Sequence, residues 1–183
     1  RVGGAANTIE RVMPELMQRY RLQWPNVEVF LRPDGGTALL DALERGEIDI
    51  AVTRHVNSDF LESKIAFPTH LIAVLHNAHD RASKKSLTVD DLDGERLLVA
   101  PTDFTSRKLL DAACHSARIR PRIALETNDL NALLALAEAA QGIAVVPSTV
   151  DTTGRAVKVL PIRHGKALLG SWTAVVWDRR RNQ

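Results

Sequence analysis

The sequence predicts an α/β, doubly wound fold. Short apolar runs alternate with stretches of helical spacing along the chain. Several of those runs are apolar throughout, which suits strands covered on both faces, as in parallel sheets. Turn-rich stretches at 77–85 and 151–155 suggest a second lobe inserted into a first, with the chain returning through Ala174 to Trp177.

Taken in order, Arg1, Val2 and Gly3 read as the start of a strand, and further strands are expected at 27–31, 48–52, 71–75, 97–100, 123–125 and 143–146. Between them, Ile9, Val12, Met13, Leu16, Met17 and Tyr20 follow helical spacing, with Asn7 or Thr8 as the expected cap. Pro14 lies inside this pattern, so a kink or a late helix start is expected. Thr37 is placed to cap a second helix carrying Leu39, Leu40 and Leu43, which Gly46 ends. Thr105 or Ser106 would cap a third, with Leu109, Leu110, Ala113 and Ala117 inward. Asn128 or Asp129 would cap a fourth, with Leu130, Leu133, Leu134 and Ala137 inward and Gly142 as its stop.

Composition narrows the function. The chain has 183 residues, 45% apolar and 25% charged, enough to bury a core. No apolar run approaches the roughly 20 residues that span a bilayer, and no signal peptide is read at the start. A net charge of +2 is too balanced for a dedicated nucleic-acid surface, and 4% aromatic residues give no base-stacking platform. Lys84-Lys85 and the arginines at 179–181 read as solvated loops and ends. Cys114 is the single cysteine, so no intrachain disulfide forms and a reducing cytoplasm fits. It shares a stripe with Leu110 and Ala117, the pattern of a buried core residue rather than a nucleophile. His76 and His79 are closely spaced but read as structural; His55, His70, His115 and His164 are scattered, so no metal site is expected. There is no P-loop, and residues 2–6 lack the glycine spacing of a dinucleotide loop. No catalytic residue and no cofactor are expected.

Four loops share one feature: each runs from the carboxyl end of an expected strand into a helix and carries small or hydroxyl side chains. They lie at 4–8, 35–37, 102–107 and 127–129. In open α/β sheets ligands bind at strand carboxyl ends. Helix N-termini add free N–H groups and partial positive charge. Arg107 supplies a planar cationic fork that fits a carboxylate. These features point to a small, polar, anionic ligand in a cleft between lobes, with Asn7, Thr8, Gly36, Thr37, Phe104, Thr105, Ser106, Arg107 and Asn128 as candidate binding residues. Asp129 would repel an anion from its own helix start.

Several motifs resemble the effector-binding domain of LysR-type transcription regulators. The opening 1–8 through Met13-Pro14-Glu15-Leu16 is similar to the family's first strand, pocket loop and proline-bearing helix. Trp24-Pro25-Asn26-Val27 resembles its entry to the second strand. A helix closing on Gly46 and followed by Glu47-Ile48-Asp49-Ile50-Ala51-Val52 is the most specific piece. Leu71 to His79 resembles the crossing segment, with Asp80 where the family often has proline. Phe104-Thr105-Ser106-Arg107 resembles the second-lobe pocket loop. Gly142-Ile143-Ala144-Val145-Val146-Pro147 resembles a further family strand, with Ala140 where its first glycine usually stands.

The resemblance implies two Rossmann-like lobes joined by a hinge, similar to type 2 periplasmic binding proteins: lobe I at 1–69 plus about 170–183, lobe II at about 70–169. It implies a small-molecule effector, a homodimer of this domain and a tetramer in full length, with DNA bound only through an N-terminal winged helix-turn-helix absent from this chain. The helix at Ile9 to Tyr20 and the one at Leu109 to Ala117 are the expected pairing surfaces. Relatives often carry Ser or Thr ahead of the first helix; here Ala5-Ala6 stand there, and Asn7 and Thr8 would serve. A transporter's solute-binding protein, with a like fold and cleft, is the competing expectation.

Overall fold

The computed structural model describes residues 1–181. In chain order the elements are β1 (Val2–Gly4), α1 (Ala6–Gln23), β2 (Leu31–Pro33), α2 (Gly36–Arg45), β3 (Ile50–Arg54), β4 (Leu61–His76), β5 (Leu87–Thr88), β6 (Arg96–Val99), α3 (Thr105–Ala117), β7 (Arg122–Glu126), α4 (Leu130–Glu138), β8 (Ile143–Pro147), β9 (Val157–His164), β10 (Ala167–Leu168) and β11 (Gly170–Asp178). The chain divides into two compact units, Arg1–Pro68 with Ser171–Gln183 (lobe I) and Thr69–Gly170 (lobe II). The divisions fall within β4 and at the start of β11. The turn-rich stretches at 77–85 and 151–155 both lie inside lobe II.

In lobe I, β1 pairs in parallel with β2 and β3, and β11 runs antiparallel to β3. The sheet is therefore mixed rather than wholly parallel, because β11 enters without a helical crossover. The expected strand at 27–31 is displaced to Leu31–Pro33, sharing only Leu31, and Val27 and Phe30 lie exposed ahead of it. One face of the sheet is sealed by α2, which lays Leu39, Ala42 and Leu43 against Ile48, Ala51, Ala174 and Val176. Burying each such leucine stabilises the fold by about 1.5–3 kcal/mol. Gly3 makes this approach possible: a Cβ there would come within 2.5 Å of Leu39 Cδ2.

Three of the four helices close alike. Gly46 ends α2 at a left-handed φ of 69°. Arg118 does so after α3 and Ala140 after α4, at φ 59° and 58°. In α4 the amides of Ala140 and Gln141 return to the carbonyls of Ala137 and Leu136, a Schellman turn. The α4 stop therefore falls at Ala140, ahead of the expected Gly142.

In α1, Pro14 is accommodated inside one 18-residue helix that begins well before it, at Ala6. A late start is thus excluded. Only Asn7 and Met13 of this helix are buried.

Lobe II is covered on both faces. β6 pairs in parallel with β7 and β8, and the second half of β4 runs antiparallel to β8 and β9. Alternation along the strands sorts the side chains: Leu71, Ala73, Leu75, Leu97, Val99, Ile143 and Val145 meet Leu110, Ala113 and Cys114 of α3. Ile72, Val74, Leu98, Ala144 and Val146 meet Leu133, Leu134 and Ala137 of α4.

Candidate functional site

Each lobe gathers its helix-start loops at the carboxyl ends of parallel strands. In lobe I the registers Gly4↔Pro33 and Gly4↔Val52 set the starts of α1 and α2 and the end of β3 side by side. In lobe II the α3 and α4 starts follow β6 and β7, and Ser148 follows β8, again at one end of the sheet. Ser148 is held by its amide on the His70 carbonyl (2.8 Å) and by its Oγ accepting from the His70 amide (3.3 Å).

The hydroxyl residues are not the caps the sequence suggested. The N-cap positions of α1, α2 and α3 are Ala5, Gly35 and Phe104, and none makes a side-chain cap bond. Asn7 and Thr8, Gly36 and Thr37, and Thr105, Ser106 and Arg107 instead occupy the first turns themselves. Alanine, glycine and phenylalanine have no side-chain oxygen, so these three N-caps offer the first-turn N–H groups no side-chain acceptor, and in α1 the Ala5 carbonyl takes the Thr8 amide (2.9 Å). Asn7 is buried, Thr37 exposed, and Thr8, Gly36, Phe104, Thr105 and Ser106 half-buried. At α4 the chain supplies its own anion: Asp129 Oδ1 accepts from the amides of Asn131 (2.9 Å) and Ala132 (3.2 Å). Asn128 lies exposed just ahead of that occupied terminus.

Arg107 departs most from expectation. Its Nε donates to Asp111 Oδ1 at 2.9 Å, and its Nη1 donates to Glu126 Oε2 at 2.6 Å and to the Ala100 carbonyl at 3.1 Å. Burial works to lower its pKa, but the bonds to Glu126 and Asp111 outweigh this and raise it. The guanidinium is thus a brace tying α3 to the ends of β6 and β7, and its charge is already matched within lobe II. Sequence reading missed Asp34, which binds its own neighbours at the α2 start and carries no hydroxyl or cationic signal. Its Oδ1 accepts from the Gly35 amide (2.9 Å) and its Oδ2 meets Arg32 (3.3 Å), which also holds Glu47 (2.5 Å). That carboxylate puts negative charge beside the α2 start.

Cys114 is buried on the inward face of α3, where desolvation and then the Asp111 charge push its thiol up to about 11. That is a core thiol, not an activated one. Among the described residues no group of three or more His, Cys, Asp or Glu side chains could hold a metal ion, and no helix is long and apolar enough to cross a membrane.

A two-lobed α/β frame with uncapped helix starts at its strand ends defines a small-ligand-binding domain. The family model described as the LysR substrate binding domain matches residues 1–183, and the chain belongs to that family. Its relatives are transcriptional regulators rather than enzymes. The dual regulator GltC of Bacillus subtilis is 25% identical over 166 residues, covering 88% of this chain and 55% of that protein. CysB of Haemophilus influenzae is 27% identical over 150 residues, covering 80% and 46%. The chain thus spans about half the length of the curated relatives it matches. Among solved structures, the effector binding domain of QuiR in complex with shikimate superposes with a TM-score of 0.87 at 18% identity, over 98% of this chain and 87% of that one. The Synechocystis PCC6803 CcmR regulatory domain in complex with 2-PG gives 0.86 at 15% identity, over 98% and 86%. At such identities the likeness establishes the fold, which is the one expected. Nothing in the comparisons favours the solute-binding-protein alternative.

Proposed function

We propose that this chain is the effector-sensing part of a LysR-type transcription regulator and that helix starts without a side-chain cap supply its binding groups for a small organic anion. One observation carries the reading: α1, α2 and α3 begin on residues whose side chains cannot cap, at the ligand-binding ends of their sheets, whereas α4 is closed by Asp129. Neighbours of the same fold were solved with shikimate, benzoate and 2-PG, which supports a small carboxylate or phosphate. Thr8, Thr37, Thr105 and Ser106 would add hydroxyl donors; Arg107 would act by holding the α3 loop.

An effector that binds one conformation better than another shifts the population, and the regulator's DNA-binding part would read that shift. The domain would pair with a second copy through α1, whose Leu16 and Tyr20 remain exposed. The second expected pairing surface, 109–117, is weaker: Leu110, Ala113 and Cys114 are already turned into the lobe II core.

A thermal-shift panel of aliphatic acids, aromatic acids, amino acids and inorganic anions tests this. An effector at about 100 times its Kd adds roughly 2.7 kcal/mol, a rise of roughly 5–11 °C for a chain of this size. The rise should vanish in Thr105→Val or Thr37→Val. A hit that both variants keep would place the site elsewhere.

A further inference from the structure

Lobe II contains a cavity at the opposite end of its sheet from the α3 and α4 starts. Its volume is about 410 Å³, and its walls include His76, Ala78, His79, Arg96, Ala140 and Gly142. That is within the roughly 300–1,000 Å³ typical of small-molecule sites. His76 ends β4, Arg96 opens β6 and Gly142 precedes β8; because β4 runs antiparallel to β8, these three meet at one end.

We propose that this cavity is a second ligand site, distinct from the helix-start loops, and that it takes a small organic carboxylate. Arg96 is exposed at the rim and has no ion-pair or hydrogen-bond partner for its guanidinium among the described residues. Arg81, by contrast, is committed to Asp91 and Glu95. Both imidazoles are set as donors. The Ala78 amide donates to His76 Nδ1 (3.1 Å) and the Arg81 amide to His79 Nδ1 (3.2 Å), so each neutral ring carries its proton on Nε2.

The cavity's one carboxylate, Glu95, is neutralised by Arg81 Nε at 2.8 Å and has His79 Nε2 3.7 Å away. It therefore does not cancel Arg96. Ala78, Ala140 and Gly142 leave room for an apolar body. Ala140 sits at this wall as the left-handed residue that closes α4 (φ 58°), so the helix end fixes its place. Gly142 cannot be larger, because a Cβ would come 2.5 Å from the Arg96 carbonyl.

The test is a titration of the ¹⁵N-labelled chain with benzoate, acetate and inorganic phosphate in turn. It follows the amides of Ala78, Ala140, Gln141 and Gly142. Saturable shifts with benzoate are expected, weakened roughly 10–100-fold in Arg96→Ala, the span of a charge-assisted hydrogen bond, and abolished in Ala78→Trp, which fills the space. Both positions are exposed, so both variants should fold, and amides near Thr37 and Thr105 report the other site separately. The proposal fails if none of the three probes moves the four amides. It also fails if the shifts survive both variants, or if phosphate binds as tightly as benzoate.

Discussion

The two lobes share a plan but finish it differently. Lobe II is sealed on both faces, by α3 over Leu97 and Val99 and by α4 over Leu98 and Ala144. Lobe I is sealed on one, by α2. Its longest helix, α1, buries little beyond Asn7 and Met13, and it leaves Leu16 48% and Leu22 84% exposed, with Trp24 at 56% just past its end. Lobe II behaves as a completed core. The α1 side of lobe I keeps large apolar side chains in solvent, as the proposed pairing through α1 requires.

That contrast can be broken most directly by truncation. Leu134→Ala, in the α4 layer, should cost roughly 3 kcal/mol by denaturant unfolding, whereas Leu16→Ala should stay within about 0.5 kcal/mol while weakening self-association in analytical ultracentrifugation. Equal costs in a monomeric chain would erase the distinction. A smaller effect should come from Ala5→Asp, which gives α1 the acceptor that α4 already has in Asp129. It should stabilise the free domain by about 1 kcal/mol and weaken anion binding at that start. A variant that binds the effector as before would remove α1 from the site.

Smaller again, Ala140→Gly should raise stability by roughly 0.5–1 kcal/mol, since glycine tolerates the left-handed turn. A lower melting temperature would show that the alanine is held by contacts outweighing its backbone strain. The smallest effect is acid sensitivity. In lobe I the bonds from Arg45 and Arg32 hold Glu47 down to about 2, Arg180 holds Asp178 down to about 2, and Asp49 is lowered by Arg1. Carboxylates with depressed pKa stabilise above their unfolded values, about 4, and lose that contribution as pH falls towards 2. Lobe II has such a group in Asp91, whose burial is outweighed by the bonds from Lys84 and Thr88. Hydrogen exchange should therefore open lobe I, with three, ahead of lobe II over that window. The reverse order would place the acid-labile contacts elsewhere.

What the sequence made legible follows the same division. The α2, α3 and α4 stripes were readable because each packs one apolar face on a sheet; Leu39, Leu110 and Leu134 lie where their spacing puts them. The α1 stripe was readable as a helix, but its burial was not, since Leu16 and Tyr20 face outward. Strands β9 and β10 escaped notice because Val157–His164 mixes charge into its alternation and the pairing is tertiary. At the candidate site, loop positions were legible while roles were not. Asn7, Thr37 and Thr105 fall one or two places past the caps they resembled. Arg107 is committed to Glu126, 19 residues on, a pairing that no local pattern announces.

Cys114 gives the chain a practical property. It is the only thiol, it is shielded on the inward face of α3, and its elevated pKa keeps the thiolate scarce near neutral pH. Alkylation in the native state must therefore wait for α3 to lift, so the rate of labelling times the opening of lobe II. A cysteine placed on the exposed surface of α1 would be modified first, which permits selective attachment of a probe to lobe I without removing the native residue.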